Sequence, residues 1–277
     1  LVSSSAASDV YKRQVVLLVL KVFEYPNFLS PVAFELFGLT IRWYSISYII
    51  GFIYFYFFAL SNLNRFNLNK KKLEDLFFYL FLSVIIGGRL GYIIFYDINF
   101  YLQNPFEILK VWQGGMSFHG ALIGIILTTI VYSKRNNISI FLLSDLLSIT
   151  APVGLFLGRI SNFLNQELIG RPTEFFLSIS YPNEDIYRHI SQIYEAIFEG
   201  LIPAILLLII FYKFKIKNGL ITSIFLINYG LSRIIIENFR EPDFQLGLKF
   251  DFISQGQILS VPIVILGFIF LYLCQYK

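Results

Sequence analysis

The sequence predicts an all-α, polytopic membrane protein: a bundle of about seven transmembrane helices, with its N-terminus outside and its C-terminus in the cytoplasm. Three observations predict it. The mean hydropathy is +0.67. Only 14% of the 277 residues are charged, where a soluble domain carries about 25%. Continuous apolar stretches of ~20 residues, enough to cross ~30 Å of hydrocarbon, alternate with short basic loops. They lack the period-two alternation of a membrane barrel, so helices are the expected spanning form.

The run Ser4 to Gln14 resembles the translation of a sequencing adapter, so residues 1–14 are expected to be a non-native tail. Residues 15–40 read as an external or interfacial segment, because the apolar run at 15–22 is too short to cross. Residues 41–277 read as a transmembrane catalytic domain with an external segment at about 160–192. The expected spans are Ile41–Leu60, Leu76–Tyr96, Met116–Ser133, Phe141–Gly158, Ile193–Tyr212, Leu220–Ile236 and Ile258–Tyr276. Arg65 and Lys70–Lys72 separate the first two, Lys134 and Arg135 the next pair, and Lys213, Lys215 and Lys217 the fifth and sixth. Short loops rich in Lys and Arg stay cytoplasmic, which sets the orientation. Glycines at four-residue spacing (Gly87 and Gly91, Gly120 and Gly124, Gly154 and Gly158) predict close helix contacts.

Composition also narrows function. One cysteine, Cys274, excludes an internal disulfide and a Cys-ligated metal cluster. The net charge of +4 shows no basic patch interleaved with aromatics, so nucleic acid is not an expected partner. Ionisable residues within apolar spans are expensive and mark function. Here they are Arg89, His119, Asp145, Arg159, Glu195, Glu199, Arg233 and Glu237.

Three strings carry most of the polar chemistry. In the sixth span Tyr229, Arg233 and Glu237 fall at i, i+4 and i+8 on one helix face, and Arg240 continues near it. Two readings are open: a structural Arg233–Glu237 ion pair, or an anion site, since two planar guanidinium forks suit a phosphate. The fourth span ends R-I-S-N-F-L-N-Q-E-L-I-G-R, Arg159 to Arg171. If the helix continues, Arg159, Asn162 and Gln166 share a face, and Glu167 and Gly170 mark its exit from the membrane. The third span opens G-G-M-S-F-H-G-A-L-I-G, Gly114 to Gly124. His119, one of two histidines, is either a packing residue or a general base with an ordinary pKa of about 6.5.

Together with Trp43–Tyr44, G-G-R-L-G-Y (Gly87 to Tyr92), H-I-S-Q-I-Y-E (His189 to Glu195) and Y-G-L-S-R-I-I-I-E-N-F-R-E-P-D (Tyr229 to Asp243), these strings resemble the prolipoprotein diacylglyceryl transferases. The resemblance runs from about Ile41 to the end. Ala121 and Ser161 stand where that family usually has Gly, and Ile190 where it usually has Pro.

The resemblance implies a bacterial inner-membrane enzyme that needs no metal or cofactor. It implies transfer of an sn-1,2-diacylglyceryl group from phosphatidylglycerol to the lipobox cysteine of a prolipoprotein signal peptide. A thioether forms and glycerol phosphate leaves. In that reading His119 takes the thiol proton, and Arg159 and Arg233 stabilise charge on the departing phosphate. Glu167, Glu237, Asn162 and Tyr229 orient the arginines or the glycerol hydroxyls. Tyr44, Gln192, Gly170 and Arg240 complete the expected substrate contacts.

Two other classes fit less well. A transporter predicts inverted repeats and broken helices, and the sequence shows no repeat. An intramembrane protease predicts H-E-x-x-H or a catalytic Ser or Asp pair, and Asp145 is alone in its span.

Overall fold

A computed structural model describes residues 23–36, 38–182, 184–242, 248–249 and 253–275. The expected tail at 1–14, the short apolar run at 15–22 and Asp243 lie outside the described residues.

Every expected span is helical, with shifted ends. The helices are α1 (Trp43–Ser61), α2 (Lys70–Tyr96), a short α3 (Ile98–Gln103), α4 (Phe118–Asn136), α5 (Ile140–Leu164), α6 (Ser191–Lys213), α7 (Leu220–Ile236) and α8 (Gln255–Gln275). Five of them, α1, α2, α5, α6 and α8, are long and apolar enough to cross a membrane, and α7 is a shorter apolar helix. The third expected span, α4, is helical over 19 residues but falls outside that set. Its glycines, Thr128, Thr129, Ser133 and basic end dilute the apolar run. The chain is a mostly helical, multi-pass membrane protein.

Local chemistry sets several helix ends. The Asn69 side chain accepts from Lys72 N at 2.8 Å and caps α2 about two turns before its apolar run. Ser117 caps α4 through Gly120 N. The C-caps Asn67, after a 3-10 turn, and Asn137, after α4, adopt left-handed φ of 52° and 51°. Within α6, residues Ala196–Leu201 form a π turn, and the α-helical remainder starts at Ile202 with Pro203 in its first turn.

Helix α5 lies at the centre and touches α1, α4, α6 and α7. Phe55, Phe58, Phe66, Leu73, Leu76, Leu143, Leu146, Ile149, Leu207, Phe211 and Ile221 form the main core. The α1–α2, α4–α5 and α6–α7 joints gather at one end of it: Arg65 donates to Phe211 O at 2.6 Å, and Tyr132 donates to Lys72 O at 2.5 Å. Asp145 of α5 accepts from Gly219 N (2.6 Å), Thr222 N and the Thr222 hydroxyl (both 2.8 Å), so it caps the N-terminus of α7. Ile53, Phe57, Ile94, Leu127, Ile205 and Phe268 face outward, as lipid-facing residues do.

Helices α2 and α4 meet through glycine. A Cβ on Gly120 would lie 2.2 Å from Gly87 O, and one on Gly91 2.6 Å from Gly120 Cα. The contact at the third glycine pair is looser: a Cβ on Gly51 of α1 would lie 3.5 Å from Gly154 Cα, while a Cβ on Gly154 or Gly158 meets nothing within 4 Å.

The bundle is not wholly α. At the end opposite the basic joints sit short strands: β1 (Phe23–Glu24), β2 (Val32–Leu36), β3 (Leu39–Arg42), β4 (Ser178–Ser180), β5 (Tyr187–His189), β6 (Leu248–Lys249) and β7 (Ile253–Ser254). One sheet has the order β1-β4-β5, with β1 parallel to β4 and β4 antiparallel to β5. The pairs β2-β3 and β6-β7 are antiparallel. Tyr25, Ile179 and Tyr181 form a second small core with Phe163 and Ile190.

Candidate active site

Three helices bring six charges together beneath this sheet. From α5, Arg159 reaches Glu195 at 2.9 Å and Glu199 at 3.0 Å. From α7, Arg233 reaches Glu195 at 2.5 Å, Glu199 at 3.3 Å and Glu237 at 2.6 Å. Arg240, past the end of α7, lies 3.8 Å from Glu195. The side chains of Glu195 and Glu199 are 0% exposed, that of Arg233 9% and that of Arg159 15%. Three arginines thus face three glutamates, formally neutral as a group. Burying such charges costs several kcal/mol per ion unless the pairing is close, and here Arg159 spans two carboxylates and Arg233 three.

The Arg233–Glu237 pair read from the sequence therefore exists, but it is one edge of a larger network. Glu195 and Glu199 were the part that sequence reading left without a role. Their signal was present: two acids four residues apart on one face of an apolar helix. The π turn between α6's two α-helical parts includes Glu199. Tyr229 stacks on Phe225 at 5.9 Å and lies within electrostatic reach of Arg159, Arg233, Glu195 and Glu199.

A second polar group adjoins the network. Asn162 of α5 donates to the Tyr44 hydroxyl and, at 3.3 Å, to Glu167 Oε2. Asn165 donates to the other Glu167 oxygen at 3.3 Å. Glu167 is exposed and Tyr44 half-buried. The helix does not continue to Gln166 as the sequence pattern suggested: α5 ends at Leu164, and Gln166 and Leu168 adopt left-handed φ of 55° and 57°. That reversal turns Glu167 back toward Asn162, and Glu167 N donates to Asn162 O at 3.0 Å.

Gln192 and Gly170 hold this reversal. Fully buried Gln192 donates to Glu167 O at 2.7 Å and to the Tyr181 hydroxyl at 3.1 Å. Burial pushes the Tyr181 phenol up to about 12, so it stays a neutral hydrogen-bonding group. Gly170 bridges to Arg240, and a Cβ there would lie 2.1 Å from His189 O, so no larger residue fits. Gly170 thus ties the α5 exit to the segment carrying Arg240. At the unusual positions, Ser161 shares a 2.7 Å hydrogen bond with Ser47 of α1, and Ile190 packs into the Tyr25 core.

Two sequence candidates stand apart. His119, in the first turn of α4, is exposed, and among the described residues it makes no hydrogen bond or ion pair. Its ring leans on Phe118 at 5.8 Å. Arg89 is buried without a carboxylate: it donates to the carbonyls of Glu107 (2.6 Å), Ile108 (3.0 Å) and Gly114 (2.7 Å), and its guanidinium lies 5.1 Å from the Tyr101 ring. It pins the segment that leads into α4.

Chemically, the network offers clustered guanidinium groups in a low-dielectric setting, beside an exposed carboxylate, a half-buried phenol and a buried amide. That is equipment for an anion carrying hydroxyl groups.

Comparison with known proteins fits this arrangement. Residues 31–273 match the family model "Prolipoprotein diacylglyceryl transferase". The chain is 44% identical over 248 residues to the phosphatidylglycerol–prolipoprotein diacylglyceryl transferase of Rickettsia bellii, covering 88% of this chain and 94% of that protein. It is 45% identical over 247 residues to the Rickettsia typhi enzyme of the same name, covering 87% and 95%.

Proposed function

The chain belongs to the prolipoprotein diacylglyceryl transferase family, and on that premise we propose that its arginine–glutamate network is where the phosphate of phosphatidylglycerol sits during transfer. It is a membrane transferase acting on phosphatidylglycerol and prolipoprotein. The finer reading places it in the bacterial inner membrane, multi-pass, with the basic joints cytoplasmic and the 160–192 segment outside. The acceptor is the lipobox cysteine of a signal peptide.

The carrying observation is the convergence of Arg159, Arg233 and Arg240 on Glu195, Glu199 and Glu237 at one end of the bundle. The cysteine thiolate attacks the glyceryl carbon. The S–C bond forms, the C–O bond to phosphate breaks, and glycerol phosphate leaves with the electron pair. Arg159, the more exposed of the two arginines that pair with both Glu195 and Glu199, meets the phosphate first, and Arg233 backs it. The glutamates fix both guanidinium planes before substrate arrives, so the donors need no reorganisation as charge develops. Tyr44, Asn162, Glu167 and Tyr229 bind the glycerol hydroxyls. Gln192 and Gly170 hold the chain that presents Glu167 and Arg240.

His119 is the base in this reading. Its exposed imidazole is open to an incoming peptide thiol, whose ordinary pKa is about 8.5. The test is a pH profile. His119→Asn should lose most activity near neutral pH and recover part of it as the thiol ionises unaided. A loss independent of pH would remove His119 from the proton transfer.

A further inference from the structure

Away from this network, the outer face between α2 and α4 carries an apolar groove of about 620 Å³. Its cause is the glycine contact. Gly87, Gly91, Gly120 and Gly124 draw the two backbones together and leave no side chains along the seam. Leu90, Ile94, Phe95, Ile123, Leu127 and Val131 form the walls, and each is at least 47% exposed, as lipid-facing residues are. Along α2 the groove runs from Tyr79 to Phe95, about 24 Å at ~1.5 Å per residue, longer than the ~15 Å depth of one leaflet's hydrocarbon.

The groove is not symmetric. One end closes on Tyr79, Tyr132 and Arg135. Arg135 is exposed, and among the described residues it makes no ion pair. The acidic groups at this end are Asp75 and Glu74, the latter 3.9 Å from Lys70. Against them stand Lys71, Lys72, Lys134 and Arg135. The opposite end, at Ile94 and Phe95, carries no charged lining residue.

We propose that this groove binds one acyl chain of an anionic phospholipid from the leaflet facing the basic joints, with the lipid phosphate at Arg135. An apolar trough alone would take any lipid. The cation at one mouth is what selects a headgroup, because each basic residue near the membrane surface favours an anionic lipid about five-fold. The bound lipid is a non-reacting ligand whose phosphate lies at the end of α4 opposite His119. The inference stands independently of the roles given to the arginine–glutamate network.

The test uses the full chain in vesicles of phosphatidylcholine containing a trace of photoreactive lipid. The probe is phosphatidylglycerol with a diazirine midway along one acyl chain, compared with phosphatidylcholine bearing the same chain. Adducts are mapped by mass spectrometry to α2–α4 peptides, which separates this site from labelling at the reaction centre. The phosphatidylglycerol probe should label the groove about five-fold more than the phosphatidylcholine probe. Arg135→Gln should remove that preference, and Leu127→Trp, which fills the trough, should reduce labelling by both probes. Equal labelling by the two probes, a preference that survives Arg135→Gln, or labelling unchanged by Leu127→Trp would each overturn the proposal.

Discussion

Arg233→Lys separates a charge from a fork. In the structure Nη1 of Arg233 serves Glu195 at 2.5 Å and Glu199 at 3.3 Å, while Nη2 serves Glu237 at 2.6 Å. Lys keeps the positive charge, so the glutamates retain a cation and the buried network is not left with a net excess of negative charge. Its single ammonium cannot present two parallel donors to a phosphate. Losing one preorganised donor to transition-state charge lowers turnover about 10²-fold or more, or ~2.7 kcal/mol at ~1.36 kcal/mol per decade. The variant should insert and elute from gel filtration like the parent. Mass spectrometry of a lipobox peptide incubated with phosphatidylglycerol gives the rate. A rate within about three-fold of the parent, less than ~0.7 kcal/mol, would leave Arg233 as a structural ion-pair member. Exchanging the pair, Arg233→Glu with Glu237→Arg, is not a usable control, because the new glutamate would face Glu195 and Glu199.

Three further outcomes follow from other parts of the fold. Asp145→Ala leaves Gly219 N, Thr222 N and the Thr222 hydroxyl without their acceptor; stability should fall by about 1–3 kcal/mol, read as a lower thermal midpoint in detergent, with turnover retained at low temperature. Burial lowers the pKa of His189 on β5, so the unfolded state binds its proton more readily; this contribution to stability is full above about pH 6.5 and is lost as the pH falls through the lowered folded value, and His189→Gln should flatten that acid-side fall in the thermal midpoint. For topology, Lys71→Cys on a Cys274→Ser background should resist an impermeant thiol reagent in intact cells while a cysteine at Glu174 reacts, and labelling at position 71 without permeabilisation would invert the orientation.

The helices were legible in the sequence because burial in lipid needs only long apolar runs, and the runs are long. Helix ends were less so. Asn69, a polar cap, starts α2 at Lys70, well before the apolar stretch that begins at Leu76. The three-residue strands β4 and β5 are too short to show alternation, so the small sheet was invisible. Gly154 and Gly158 share their spacing with Gly87 and Gly91, but spacing does not say how closely a partner helix comes: α1 reaches Gly154 through Gly51 at ordinary van der Waals distance, and a Cβ on Gly154 or Gly158 would still meet nothing within 4 Å. In the site, Arg159, Arg233, Glu237 and Arg240 were found because charges in apolar spans are conspicuous. Glu195 and Glu199 were equally conspicuous, but their tie to Arg159 and Arg233 runs between helices, 34 to 40 residues apart, and pairing at that range leaves no periodic trace. The reversed loop at Gln166 to Gly170 rests on left-handed residues that are not glycine, which no turn signal announced.

The central claim, that this membrane protein moves a diacylglyceryl group onto a prolipoprotein cysteine, is tested most directly by product mass. Membranes containing the chain are incubated with phosphatidylglycerol of defined acyl chains and a lipobox peptide, with an Arg159→Ala preparation alongside. The account predicts that the peptide gains the full diacylglyceryl mass on its cysteine sulfur, as an alkali-stable thioether, with one glycerol phosphate released per peptide, and that Arg159→Ala membranes make little of it. A peptide of unchanged mass, or one carrying a single alkali-labile acyl group, would contradict it.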